Sequence, residues 1–103
     1  MILNKDKSIL QLLDLLGLEE RGWAVNDHWE ADLCAIGISS TSSKGRLVYV
    51  STFDKPEGKF DYECEALRCE AEGDTEYEIV DEGVDVGFHD LVEAMERHLD
   101  VPG

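Results

Sequence analysis

The stretch Lys59-Phe60-Asp61-Tyr62-Glu63-Cys64-Glu65-Ala66 alternates polar and apolar residues without a break. Successive side chains of an extended chain point to opposite faces. Phe60, Tyr62, Cys64 and Ala66 therefore share one face, and Asp61, Glu63 and Glu65 the other. After a turn around Gly73-Asp74 a second strand is expected at residues 77–80, carrying Glu76 and Glu78 and followed by Asp81 and Glu82. Residues 61–85 hold eleven carboxylates against one cation, Arg68. Acids on a shared face of neighbouring strands set like charges close together, which opposes folding. A sequence that keeps such an arrangement points to a use for it, namely a docking face for a strongly cationic partner. Phe60 and Tyr62, on the opposite side, are expected to pack against Leu12, Leu16, Leu91 or Met95.

Toward the N-terminus, residues 8–17 read as a helix. Asp6 or Ser8 is placed to cap it and Gly17 to stop it. Ile9, Leu12, Leu13 and Leu16 fall at i, i+3, i+4 and i+7, and Leu10 and Leu15 widen the stripe. Core packing explains this leucine face more simply than a partner does. Residues 18–32 carry no clear period. Their two tryptophans, Trp23 and Trp29, flanked by Asp27, Glu30 and Asp32, either close the end of the core or form rigid aromatic anchors at an interface. Residues 32–39 read as a first strand, apolar enough for both of its faces to be covered. A polar hairpin loop at residues 39–45 leads to a β-branched and aromatic strand at residues 46–53. Asp54-Lys55-Pro56-Glu57-Gly58 is turn chemistry. Past the acidic strands, residues 83–87 read as a short connection into a helix with the stripe Phe88, Leu91, Val92, Met95 and Leu99. Pro102 lies just beyond its end.

The expected architecture is α+β: a four-stranded antiparallel sheet with an N-terminal and a C-terminal helix packed on one face. At 103 residues the chain is expected to form a single domain (1–103) with one two-layer core. The acidic strands then occupy the uncovered face.

The formal charge of −15 argues against binding nucleic acid or an anionic membrane, because nucleic-acid affinity comes largely from Lys and Arg neutralising phosphates. Such charge speeds encounter with cationic partners. A merely solvated surface, as in proteins of salt-loving organisms, would spread the acids, whereas here they concentrate in one block. Three cysteines do not make a disulfide framework. Cys34 and Cys64 sit in apolar surroundings and read as small buried side chains, while Cys69 lies among acids that disfavour its thiolate. No apolar h-region or membrane-length run is present, so the chain reads as cytoplasmic.

The sequence offers no catalytic constellation, cofactor motif or metal site. His28 with Asp27 and Glu30 contains acid–base groups, but adjacency in sequence does not create convergent geometry. His89 and His98 are two and a half helical turns apart and face opposite sides. The cysteine spacing lacks a zinc pattern, and no phosphate loop or calcium loop occurs.

A small acidic α+β chain of this kind resembles the bacterial immunity proteins, antidotes of polymorphic toxin and contact-dependent growth inhibition systems. The resemblance is carried by Trp29-Glu30, the strand at residues 33–38, Tyr62-Glu63-Cys64-Glu65, and the closing helix ending in His98-Leu99. It implies a cytoplasmic protein without enzymatic activity that neutralises a cognate toxin domain, often a nuclease. The residues expected at the contact are Asp61, Glu63, Glu65, Glu78, Asp81 and Glu82, with Trp29 and Glu30. Two other readings compete: an acidic mimic of nucleic acid that inhibits another DNA- or RNA-binding protein, and a small regulatory or adaptor domain whose acidic face is only solvated.

Overall fold

The computed structural model describes residues 5–26, 32–42, 45–69 and 75–100. The elements run α1 (Lys7–Leu16), α2 (Leu18–Arg21), β1 (Trp23–Val25), β2 (Ala35–Ser40), β3 (Arg46–Ser51), β4 (Lys59–Cys69), β5 (Thr75–Gly87) and α3 (Phe88–Leu99). All strand pairs are antiparallel, and the sheet order is the chain order, β1-β2-β3-β4-β5. The class is α+β as expected, with five strands where four were read.

The extra strand is β1, which lies in the unreadable segment. Three residues are too few to show a period, and pairing with β2 through Trp23↔Ser40 and Val25↔Ile38 is what makes them a strand. A second correction concerns residues 83–87, expected as a connection. They continue β5 directly into α3, so its last strand residue, Gly87, is also the N-cap of the helix. The strand expected at residues 32–39 starts later, at Ala35, after a turn at Leu33 and Cys34. The turn around Gly73-Asp74 lies outside the described residues.

Both main helices form where their local chemistry dictates. Asp6 caps α1 by accepting the Ser8 N–H at 3.0 Å and the Ser8 hydroxyl at 2.6 Å, bonds that hold its carboxyl below the ordinary range. Gly17 ends α1 in the left-handed region (φ 61°), which glycine enters without a Cβ penalty. Ile9, Leu12 and Leu16 of α1 and Leu91, Ala94, Met95 and Leu99 of α3 enter one core cluster. The sheet supplies Trp23, Ile36, Ile38, Val48, Val50, Phe60, Tyr62 and Cys64, so both helices cover the same face. Phe60 and Tyr62 are thus core, as their alternation predicted. Leu10 and Leu15, expected to widen the stripe, are instead exposed; Ile9, Leu12 and Leu16, with Leu13 half-buried beside them, make the packed face.

Arg21 ties one end of this core together. Its Nε donates to Leu16 O at 2.7 Å, its Nη1 lies 3.0 Å from Glu96 Oε2, and its guanidinium sits over the Trp23 ring. Trp23 Nε1 donates to Asp100 at 2.9 Å, so this tryptophan closes the core rather than facing a partner. In the same last turn of α3, His98 is buried with both ring nitrogens engaged. Arg46 is a donor only, so Nδ1 accepts from it at 3.4 Å and Nε2–H donates to Glu65 O at 2.7 Å. Burial and the Arg46 charge push the His98 pKa down, consistent with a neutral ring.

Every residue of β2 is buried, the two-sided covering that its continuous apolar run predicted. On the face away from the helices, Ala35 and Leu47 are also fully buried. The carboxylates appear only further along the sheet.

Candidate partner-docking surface

β4 and β5 form a long ribbon whose register breaks twice. Cys64 opposes Asp81 while Glu65 opposes Ile79, so Val80 is an extra residue on β5. Tyr62 opposes Gly83 while Phe60 opposes Val86, so Val84 and Asp85 together face the single Asp61. Such bulges bend and twist the strand that carries them. At the second one Asp85 takes φ 60°, a left-handed conformation in which Asp is enriched. Between the bulges, Gly83 is required by close approach: a Cβ there would lie 2.2 Å from the Tyr62 ring.

The bulges redistribute the acids. Directly opposed residues put their side chains on the same face. Glu63 opposes Glu82, Glu65 opposes Ile79, and Asp61 opposes Ser51, which places these acids on the face away from the helices. Glu78, opposite Ala66, and Asp81, opposite Cys64, turn to the helix side. There Asp81 meets Arg97 of α3 at 3.8 Å. The single shared acidic face expected from alternation is therefore two groups. An inserted residue flips everything beyond it, and the alternating pattern carries no mark of the insertion.

Within the first group the acids differ in their commitments. Asp61 Oδ1 accepts the Asp85 N–H at 2.9 Å and lies 3.0 Å from Lys55 Nζ, which also stands 3.9 Å from Asp85. Asp61 thus pins the second bulge, and its hydrogen bond holds Lys55 above the usual lysine range. Glu63 and Glu82 have no such anchor: among the described residues, neither has a cation within salt-bridge distance. They flank a cleft of about 210 Å³ lined also by Tyr49, Ser51 and Val84. Burial pushes the Tyr49 phenol up, keeping it protonated at neutral pH.

Alternation among the acids also hid an apolar component. Ile79, Val80 and Val84 are 51%, 53% and 70% exposed on β5, the outermost strand of the sheet. The signal available was Val84 and Val86 flanking Asp85, a strand-like pair in what read as a connection. Trp29 and Glu30, the remaining expected contact residues, lie outside the described residues, as does His28.

No arrangement for catalysis emerges among the described residues. His89 is exposed beside Glu93 at 3.6 Å, and His98 is occupied as described. The Cys64 thiol is pushed up to about 12, chiefly by burial and then by Asp81, and is chemically quiet. A cleft of about 550 Å³ near Lys7, Lys55, Lys59 and Phe88 contains Ser8, but that hydroxyl is taken by Asp6 and Thr52. Among the described residues no three His, Cys, Asp or Glu side chains converge on a metal position, and no helix is long and apolar enough to cross a membrane. No family model, curated protein or solved structure matches the chain.

Proposed function

We propose that this chain is an immunity protein that binds and neutralises a cognate basic toxin domain, with a nuclease the best fit. The observation that carries the reading is the opposed pair of a half-buried Glu63 and an exposed Glu82, beside the exposed Ile79 and Val84 and without a neutralising cation among the described residues. Opposed like charges cost stability. A cationic partner would turn that cost into attraction. A nuclease has to present a positive cleft to hold phosphates, and an acidic face that fills it excludes the substrate. Long-range attraction then raises the association rate, to about 10⁸ M⁻¹s⁻¹ at low salt in well-steered pairs. Speed suits an antidote, since free toxin acts until it is captured.

The test is co-expression with the product of the gene directly upstream, where the proposal expects a toxin domain. The chain is expected to relieve the growth arrest that the domain causes alone, and Glu63→Gln with Glu82→Gln to weaken that protection. Growth arrest that persists in the presence of the folded wild-type chain, or an upstream product without toxicity, contradicts the proposal.

A further inference from the structure

We propose that the outer edge of β5, over residues 78–84, accepts an extended segment of the partner as a sixth strand, and that this segment alternates Lys or Arg with aliphatic residues. The proposal rests on the toxin-binding reading and names the mode of contact.

β5 ends the sheet and is thirteen residues long, whereas the opposite edge, β1, has three. Among the described residues no backbone bond joins β5 to any segment beyond its ladder with β4. Apart from the Glu82 N–H, which Asp81 Oδ1 accepts at 2.9 Å, its outer N–H and C=O groups form a template for another strand, interrupted by the bulges at Val80 and at Val84-Asp85. Three exposed aliphatic side chains within six residues add contact area that water solvates poorly.

Charge identifies the occupant. A second copy would bring Asp81, Glu82 and Asp85 against the same residues on a chain of formal charge −15, so self-pairing is opposed. A cationic strand meets no such penalty. Glu82 and Ile79 share one face of β5 while Asp81 lies on the other, so an incoming strand finds a carboxylate on each face and an aliphatic neighbour beside one of them. Main-chain bonds would supply affinity and the alternating side chains specificity, the division found in strand-addition complexes.

The probe is a short peptide of alternating Lys and Val, compared with its fully N-methylated counterpart, which keeps the charges but has no backbone donors. Amide hydrogen exchange is followed by NMR on the whole chain. The unmodified peptide is expected to slow exchange at outward amides within residues 78–84 by about tenfold or more, leave β1 unchanged, and lose its effect when methylated. The double substitution Ile79→Lys with Val84→Lys, at exposed positions, should abolish the slowing. Equal slowing with both peptides, or none with either, overturns the proposal. In the growth test, protection by the wild type and equally by the double variant sinks the added strand and leaves the toxin-binding reading standing. Failure of the wild type to protect, with amide slowing intact, does the reverse.

Discussion

Ile38 and Ile79 sit on strands of one sheet and meet opposite environments. Ile38 is fully buried in β2, a strand covered on both faces, whereas Ile79 is half exposed on β5 beside carboxylates. The contrast extends to their neighbourhoods. The β2–β3 pair has an unbroken register and contains no acid, while the β4–β5 pair has two bulges and holds its acids on both faces. The fold is secured where the helices cover the sheet, Phe60, Tyr62 and Cys64 of the ribbon included, and the ribbon also carries exposed aliphatic residues and opposed acids that this packing does not use. A surface that costs stability without repaying it in packing is the kind of region that binding explains.

Substitution of the two isoleucines is the severest test of this division. Ile38→Ala should lower unfolding free energy by about 2–5 kcal/mol in denaturant titration, from lost burial plus a residual cavity. Ile79→Ala should stay within about 0.5 kcal/mol. Comparable losses at both sites would erase the contrast. Phe60→Ala, at the buried root of the ribbon, belongs with the first group at about 3 kcal/mol or more.

Next in size is Gly83→Ala, which drives a methyl into the Tyr62 ring. Overpacking of this kind costs about 1–3 kcal/mol. In a Tyr62→Leu background, where the ring is gone, the same change should cost clearly less. An additive pair would show that ring contact is not why glycine stands there.

His98 sharpens the comparison through pH. Its folded-state pKa lies below the unfolded value near 6.5, so the unfolded chain binds more protons in that range and stability rises with pH. That contribution is complete above about 6.5 and is lost as pH falls from there through the lower folded value. Melting temperature measured between neutral and mildly acidic pH should fall more steeply for the wild type than for His98→Gln. Parallel profiles would mean that the ring charges without penalty.

The smallest effects separate the open-face acids from one another. Glu63→Gln should leave the melting temperature unchanged or slightly raised, because it removes a like-charge neighbour of Glu82. Asp61→Asn should lower it slightly, since the carboxylate bonds Lys55 and the Asp85 amide. Identical responses would show that the bulge clamp contributes nothing.

The inner half of the sheet was legible because period and burial agree there: the facing of Phe60 and Tyr62, the start and stop of both helices, and the two-sided burial of β2 follow from local pattern. What escaped did so for identifiable reasons. β1 has three residues and exists through its ladder to β2, a non-local cause. The bulges at Val80 and at Val84-Asp85 are set by pairing, so the division of the acids between two faces was invisible in a sequence read residue by residue. The aliphatic exposure of Ile79, Val80 and Val84 depends on β5 being an edge, which only topology decides.

Glu63 and Glu82, unlike the Asp61 clamp, are proposed to serve a partner and not the fold. That role is tested most directly by stopped-flow association of the proposed cationic toxin partner with wild type and with Glu63→Gln/Glu82→Gln, at low and high salt, alongside melting curves of both. The account predicts equal or higher melting temperature for the variant, an association rate about tenfold slower at low salt, and rates that converge as salt screens the interaction. An unchanged association rate at low salt, with the variant folded, would contradict it.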